Sequence, residues 1–268
     1  MTSVSPNASG TGDGRKDPWS ERADDWARLL EPTMRPLQEA VLDRAGVRPG
    51  MELLDVGCGS GLLCQFAAAR GARVSGLDAA SALLEIARRR VPGGAFDAGD
   101  IHAMPYEDHT FDVVTGVNFF QFWADCVGAL NESKRVAKHG ASVIVAIWGR
   151  ARDCEASAYL AALAALLPAS TRGGPGPFAL SEPGALESVA TTAGLTPVET
   201  VNVACEWHFS DVDTALQALL SPAPAVVAVR ATSERRVRDA IVESIRPYRT
   251  SRGAYQLENE FRVFIARA

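Results

Sequence analysis

Three glycines that alternate with other residues, directly after a short apolar stretch, are well suited to hold a ligand. Residues 53–56 indicate a buried strand, Gly57, Gly59 and Gly61 follow it, and residues 62–70 have the pattern of a helix. Glycine lets the backbone turn sharply and lets a ligand approach with no Cβ in the way. A strand, a glycine turn and a helix in this order are typical of a nucleotide site, because the helix start presents unpaired N–H groups.

The spacing of these glycines separates two kinds of nucleotide ligand. A dinucleotide fingerprint has the spacing G-x-G-x-x-G, and its third glycine packs the helix against the strand. That third position is held here by Leu62. The spacing therefore disfavours an NAD site.

Two acids follow at the ends of the next two predicted strands. Asp78 ends the strand at residues 73–78, where a carboxylate can accept hydrogen bonds from both hydroxyls of a ribose. Asp100 follows the short strand near residue 96 and precedes Ile101. Because an acid at the end of the second strand suits several nucleosides, Asp78 predicts a nucleoside without identifying it.

The run at residues 55–61, which reads D-x-G-x-G-x-G, resembles motif I of the class I S-adenosylmethionine (SAM) methyltransferases. Residues 104–106 (M-P-Y) and 111–114 (F-D-V-V) are similar to the run that follows the third strand in that family. Residues 132–140 resemble a further family segment that precedes the fifth strand. The resemblance implies SAM as the cofactor and S-adenosylhomocysteine as the product.

The resemblance also implies a role for each acid at the predicted sheet edge. Asp55 would help to hold the SAM amino group, often through water, and Asp78 would bind the ribose. Asp100 would accept a hydrogen bond from the adenine N6 amino group. The residues that the resemblance assigns to the cofactor are Asp55, Gly57, Cys58, Gly59, Gly61, Asp78, Ala79, Asp100, Ile101, Val117 and Asn118.

Aromatic and amide side chains near the same edge are candidates for an acceptor site. Gln121 follows the fourth predicted strand and Trp148 ends the fifth, and open α/β sheets bind ligands where parallel strands end. Trp19 and Trp26 lie on one side of the predicted N-terminal helix. They either pack against the core or place a π face against the cationic sulfonium.

A general base is required only if the acceptor must lose a proton. Methyl transfer from SAM is an in-line displacement, so the enzyme has chiefly to align the acceptor with the methyl carbon. Of the four histidines, His208 is the best candidate for a base, because it ends the predicted sixth strand on the ligand side. Imidazole transfers protons readily near neutral pH.

The composition favours a small-molecule acceptor. The net charge is −5, and the longest basic run, residues 88–90, lies at a predicted helix end, so a nucleic-acid substrate is disfavoured. No stretch reaches the roughly 20 apolar residues of a membrane span. The five scattered cysteines favour a reducing cytoplasm, and no clustered His/Cys set predicts a metal site. We therefore expect a cytoplasmic monomer or homodimer.

The order of predicted elements favours a Rossmann-like α/β fold. We expect a seven-stranded, mostly parallel sheet with an antiparallel last strand and helices on both faces. Ser181 is predicted to cap a helix at residues 181–193, and two helices are predicted within residues 209–252. The predicted organisation is a disordered tail at 1–18 and a single domain at 19–268, with a helical lid at 19–50, a cofactor-binding core at 51–149 and cap insertions at 150–180 and 209–252.

Other functions are compatible with parts of this pattern. An enzyme that binds SAM and catalyses a non-methylating reaction, such as a cyclisation, would carry the same motifs. An NAD-dependent oxidoreductase and a non-catalytic subunit of a heteromeric methyltransferase are less favoured alternatives. The run at residues 248–261 resembles the C-terminus of a bacterial branch associated with secondary metabolism, which indicates a secondary metabolite as the acceptor.

Overall fold

A seven-stranded sheet forms the centre of the computed structural model, which describes residues 17–123, 125–168 and 176–268. Its strands are β1 (Glu52–Val56), β2 (Arg73–Asp78), β3 (Ala95–Ala98), β4 (Phe111–Val117), β5 (Ala137–Trp148), β6 (Thr196–Phe209) and β7 (Tyr255–Arg267). They lie in the order β3-β2-β1-β4-β5-β7-β6, and β7 is antiparallel to both neighbours. The pairs among β1 to β5 are all parallel. The predicted Rossmann-like sheet is therefore confirmed.

Helices cover both faces of this sheet. They are α1 (Pro18–Glu21), α2 (Ala23–Asp25), α3 (Arg35–Arg44), α4 (Leu62–Ala69), α5 (Ser81–Arg90), α6 (Cys126–Val136), α7 (Ser157–Leu166), α8 (Ala185–Thr192), α9 (Val212–Leu219), α10 (Ala223–Ala231) and α11 (Glu234–Ile245). Side chains alternate between the faces along each strand. Leu53 accordingly joins the core beneath α3, α4 and α7, whereas Leu54 joins the core beneath α6 and α8.

The N-terminal helical segment is fastened to the helix that follows β2. The Asp17 side chain accepts a hydrogen bond from Ser20 N and so caps α1. Ser20 Oγ in turn accepts from Ala82 N at 3.2 Å, at the start of α5. Residues 1–16 of the predicted tail lie outside the described residues, and Pro18, which the prediction assigned to the tail, already belongs to α1.

Two ion pairs join this segment to the insertion between β6 and β7. Arg230 Nη2 lies 2.6 Å from Glu21 Oε2, and Arg22 Nη2 lies 2.9 Å from Glu234 Oε2.

Within the described residues, a helix long and apolar enough to cross a membrane is not found; α9 and α10 pass that test only as a pair bent by 91°.

The insertion contains three helices where the sequence predicted two. The missed helix, α10, begins at Ala223 and has prolines on both sides of its first residue, Pro222 and Pro224. Proline suits a loop, but it also suits the first turn of a helix, where the missing N–H would have no intrahelical partner.

Ser181 does not cap a helix, which corrects the prediction. Helix α8 begins at Ala185, after Gly184 in the left-handed region at φ +82°. The Ser181 hydroxyl, which is 1% exposed, instead donates to the carbonyl oxygen of Trp148 at 2.8 Å. The serine therefore ties the segment before α8 to the end of β5.

We predict that Ser181→Ala lowers the free energy of unfolding by about 1–3 kcal/mol, because the buried Trp148 carbonyl loses its side-chain donor. The midpoint of urea unfolding measures this change. Ser188→Ala, at an exposed position of α8, is the matched control and should shift stability by less than about 0.5 kcal/mol. Equal effects of the two variants would contradict the prediction.

Candidate active site

The carboxyl ends of neighbouring parallel strands bring the predicted cofactor residues to one edge of the sheet. Asp100 follows β3, Asp78 ends β2, the glycine turn at residues 57–61 follows β1, and Asn118 follows β4. Trp148 ends β5 at the same edge. These positions therefore lie along one edge of the sheet, as the sequence predicted, but their side chains have different contacts.

The three glycines of the turn have different neighbours. Gly61, at φ +78°, lies so close to α5 that a Cβ there would be 2.8 Å from the Cβ of Ala87. A Cβ on Gly57 would overlap the ring of Phe119. Gly61 thus serves helix packing, and Gly57 is covered by an aromatic side chain from the loop after β4.

Gly59 faces polar atoms of the N-terminal segment. Its backbone lies at φ +52°, and the position of a Cβ would be 3.7 Å from Glu31 Oε1 and 3.9 Å from Trp26 Nε1. Trp19 packs edge-on against Trp26 with 5.1 Å between ring centroids. Of the two tryptophans proposed from the sequence, Trp26 therefore lies at the glycine turn, and Trp19 packs against Trp26.

Backbone amides of the turn are bonded within the protein. Gly57 N and Cys58 N both donate to the carbonyl oxygen of Leu77, at 2.7 and 3.1 Å, and Gly59 N donates to Asp78 Oδ2 at 2.9 Å. The Cys58 side chain is 4% exposed, so its thiol lies in the core. The turn is therefore poorly suited to bind a pyrophosphate through its amides, as a dinucleotide site would.

Asp55 is a buried acid directly before the turn. It is 3% exposed, and its Oδ1 accepts a hydrogen bond from Thr115 Oγ1 at 2.8 Å. Burial is the chief reason that the pKa of the Asp55 carboxyl is raised to about 7; the hydrogen bond from Thr115 opposes this effect, and the nearby carboxyls of Asp78 and Glu31 add to it. A cation bound at the turn would stabilise the charged form of this buried carboxyl.

Glu31 is the functional candidate that the sequence did not reveal. Its buried carboxylate accepts from Ser60 Oγ at 2.5 Å and from Arg90 Nη1 at 2.5 Å, and Arg90 Nη2 donates to Ala27 O at 2.7 Å. Burial raises the pKa of Glu31, while Arg90 lowers it. Arg90 was interpreted from the sequence as part of a basic helix end, and only the fold shows that it joins the N-terminal segment to the turn.

Backbone hydrogen bonds orient the Asp78 carboxylate at the end of β2. Its Oδ1 accepts from Ala80 N at 2.8 Å, in addition to the bond from Gly59 N. Burial raises the pKa of Asp78, and these backbone bonds lower it. Each carboxylate oxygen keeps a second lone pair, so the oriented carboxylate can still accept from a hydroxyl. Ala79, the next residue, is exposed at the edge.

The predicted adenine residues follow β3. Asp100 is exposed, and its Oδ1 accepts from the backbone N–H of His102 at 2.9 Å, which is the chief reason that the pKa of Asp100 is lowered. Ile101 is 1% exposed and lies in the core with Leu77. The structure therefore leaves Asp100 accessible to a ligand and places the Ile101 side chain in the core.

The loop after β4 begins with a left-handed residue. Asn118 has φ +55°, and its N–H donates to Ala146 O at 2.7 Å, which extends the pairing of β4 with β5 beyond Val117. Its Oδ1 accepts from the amide of Gln121, whose side chain is 1% exposed. Gln121 is thus buried beside the loop and not displayed at an open surface.

Trp148 is a core residue. It is 4% exposed, stacks on Phe261 with 4.5 Å between ring centroids, and packs edge-on against Trp207. Its predicted contact with the acceptor is therefore not supported by this geometry.

His208 does not lie near the turn either. Along β6, Trp207 and Phe209 point into the core, so His208 points to the opposite face and is exposed. The edge strand β6 is three strand spacings from β4, or about 14 Å. The structure therefore does not bring His208 to the glycine turn, because β7 lies between β5 and β6, and its role as a general base stays a prediction.

The charges around the turn fit a cationic ligand. The carboxyls of Asp78 and Glu31 raise the pKa of Asp55, and Arg90 is paired with Glu31. SAM carries a sulfonium and an ammonium, whereas NAD presents a negatively charged pyrophosphate. These three carboxyl groups, together with Gly59, which has no Cβ in the way of a ligand, therefore fit SAM better than NAD.

We predict that Asp55→Asn removes a pH dependence of stability. From about pH 4 to 7 the folded protein retains a proton on Asp55 that the unfolded chain has lost, so rising pH costs about 1.4 kcal/mol per unit. The variant should therefore gain stability relative to the wild-type protein between pH 5 and 7, as measured by urea unfolding. Asp24→Asn, at an exposed position, is the control. A difference that is the same at both pH values would contradict the pKa assigned to Asp55.

Comparison with known proteins supports the same ligand. A family model described as a methyltransferase domain matches residues 54–145, about a third of the chain. A malonyl-(acyl-carrier protein) O-methyltransferase of Serratia marcescens is 34% identical over 110 residues, which cover 41% of this chain and 43% of the relative. A demethylmenaquinone methyltransferase of Renibacterium salmoninarum is 36% identical over 112 residues, covering 42% and 47%.

The chain spans less than half the length of these curated relatives, so they identify a domain and not a substrate. Among solved structures, the (4+2)-cyclase SpnF has a TM-score of 0.57 at 19% identity, covering 86% of this chain and 79% of its own, which shows a shared fold. The matched segment, the strand order and the acidic glycine turn lead to one conclusion. Residues 54–145 match a methyltransferase domain, which supports a class I SAM-dependent methyltransferase.

Proposed function

We propose that this protein transfers a methyl group from SAM to a small-molecule acceptor. The observation that supports this most directly is the set of buried carboxyls around the bare Gly59, because such a site favours a ligand with positive charge. The cofactor would supply a methyl group on a sulfonium. In this proposal Asp55 and Glu31 hold its ammonium side, and Asp78 binds its ribose.

The protein would contribute alignment and exclusion of water. Well-oriented reactants gain as much as about 7–11 kcal/mol of the barrier from positioning alone. The N-terminal segment is suited to this task, since Glu31 and Trp26 reach the glycine turn while Arg22 and Glu21 bind the insertion between β6 and β7. We propose that residues 19–50 act as a lid and that the insertions at 150–180 and 209–252 act as a cap within a single domain.

The acceptor is proposed to be a small molecule, with a secondary metabolite as the narrower hypothesis. The net charge of −5 disfavours nucleic acid as a substrate. All five cysteines are free and buried, which favours a reducing cytoplasm as the compartment. A monomer or a homodimer is compatible with this proposal.

A non-methylating reaction is the alternative that the fold itself permits, because the SpnF cyclase shares it. The two functions differ in one product. Methyl transfer converts SAM to S-adenosylhomocysteine, whereas a cyclisation leaves SAM intact.

We predict that the purified protein takes up SAM and not NAD in native mass spectrometry. On addition of an extract that contains the acceptor, the bound mass should change from SAM to S-adenosylhomocysteine. Uptake of NAD with no uptake of SAM would overturn the assignment of the turn. Uptake of SAM with no conversion by any fraction of the producing cell's extract would favour the non-methylating alternative.

We predict that Asp78→Asn weakens SAM binding about 10- to 100-fold, because the ribose hydroxyls lose a charged acceptor worth about 1.5–3 kcal/mol. Isothermal titration calorimetry measures the dissociation constant. Asp213→Asn, at an exposed position of α9, should leave it unchanged. An unchanged constant in Asp78→Asn, with the variant folded, would show that Asp78 does not bind the ribose.

A further inference from the structure

The ring of His102 joins the loop that follows β3 to the residue that precedes α6. Its Nδ1 lies 3.1 Å from Asp100 Oδ1, and its Nε2 lies 3.0 Å from the carbonyl oxygen of Asp125. The Trp123 ring packs edge-on against it, with 5.1 Å between ring centroids. The imidazole therefore connects the acid that is predicted to bind adenine to the start of a helix.

Both partners of the ring are hydrogen-bond acceptors. A backbone carbonyl has no proton to donate. The backbone N–H of His102 is the chief reason that the pKa of Asp100 is lowered, so this carboxyl is ionised near neutral pH and also only accepts. A neutral imidazole carries one N–H and an imidazolium carries two. The imidazolium can therefore donate to both partners, whereas the neutral ring must turn a lone pair towards one of them.

The surroundings of the ring favour the same charged form. Asp100, on the loop after β3, and Asp125, before α6, are the titratable groups that act on it. Partial burial lowers the pKa of His102, but the carbonyl oxygen of Asp125 and the Asp100 carboxylate outweigh burial, so the pKa is raised from its ordinary value.

The Asp100 carboxylate is oriented by two donors on one oxygen. Its Oδ1 accepts from the backbone N–H of His102 at 2.9 Å as well as from the ring, and its Oδ2 has no partner among the described residues. The side chain is 63% exposed, so packing does little to fix it. One hydrogen bond lets a carboxylate swing, whereas a second donor from another direction fixes where Oδ2 points.

The far end of this connection is a regular element. Asp125 Oδ1 accepts from Gly128 N at 2.8 Å and so caps α6. The same helix bonds to the loop at a second point, because Glu132 Oε2 accepts from Met104 N at 3.1 Å. The His102 ring thus relates an exposed loop carboxylate to the position of a helix.

We propose that protonated His102 is a positioning residue, which orients Asp100 towards the adenine N6 amino group of the cofactor. His102 does not touch the cofactor in this proposal, and it acts through Asp100. Loss of the ring proton frees the ring from one of its two partners, so cofactor affinity falls as pH rises. This role rests on the proposed function, since it requires adenine at Asp100.

The test compares SAM binding by the wild-type protein and by His102→Gln at about pH 6 and about pH 8.5, on either side of the histidine titration. Glutamine can donate a hydrogen bond but does not titrate. The variant should bind SAM about three- to five-fold more weakly at the lower pH and about equally at the higher pH, where the neutral ring also has a single donor. Isothermal titration calorimetry measures both constants.

The ratio of the two dissociation constants isolates the contribution of His102. Titration of Asp55 affects both proteins alike and cancels in this ratio. His139→Gln is the matched control, because this exposed histidine lies near the start of β5, at the opposite edge of the sheet. Its ratio to the wild-type protein should be one at both pH values. A ratio for His102→Gln that does not change with pH would overturn the inference.

A double-mutant cycle tests whether His102 acts through Asp100. In the Asp100→Asn background, His102→Gln should cause no further loss of SAM affinity at the lower pH, because the carboxylate that it orients is gone. A further loss as large as in the wild-type background would show that His102 does not act through Asp100.

Ring titration without SAM separates this inference from the proposed function. The chain has four histidines, and ¹⁵N spectra report the protonation of each, with His102→Gln identifying one signal by its loss. That ring should titrate above about 6.5, and Asp100→Asn should lower its pKa. A ring that is neutral at the lower pH, or one that Asp100→Asn does not affect, would overturn the inference.

The two sets of measurements also fail in different ways. SAM binding with a constant ratio would overturn the role of His102 and leave the methyltransferase proposal intact. The expected ring titration in a protein that binds no SAM would overturn the proposed function and, with it, the assignment of Asp100 to adenine.

Discussion

The burial of negative charge around a bare glycine is the constraint on which the rest of this site depends. Carboxyl groups out of water are costly unless they are paired, protonated or bonded. Asp55 has one hydrogen bond, from Thr115, and Glu31 has Arg90. The charge is therefore available to a ligand that brings the missing positive charge with it.

The N-terminal segment, the proposed lid, is part of the same electrostatic arrangement. Glu31 and Trp26 belong to the N-terminal segment, yet their polar atoms face Gly59, the open position of the turn. Arg90 binds Glu31 and the backbone of that segment together, and Ser20 bonds to the start of α5. These hydrogen bonds fix the position of the segment at several points. In-line transfer requires such accurate positioning. Movement of the segment would uncover the turn and take Glu31 away from Asp55 and Asp78, which lie on β1 and β2.

The sequence was sufficient for features that depend on neighbouring residues along the chain. The alternation and apolar runs of the strands and the glycine turn are local patterns, and the mostly parallel sheet with an antiparallel last strand followed from them by resemblance. Features that depend on distant segments were missed or misplaced. Glu31 meets Arg90 only in the fold, and Ser181 bonds to Trp148 in place of capping a helix. His208 was placed by the rule for parallel strands, which ignores the insertion of β7.

The two halves of the proposed reaction are therefore encoded differently. The cofactor residues predicted from the sequence all lie within residues 54–145, the segment that matches a methyltransferase domain. The proposed lid comes from residues before β1, and the helical insertion lies between β6 and β7, both outside that stretch. Similarity over residues 54–145 supports an inference about the cofactor, but it supports none about the acceptor. The acceptor of this protein has to be inferred from the side chains that its own fold brings to the carboxyl edge of the sheet.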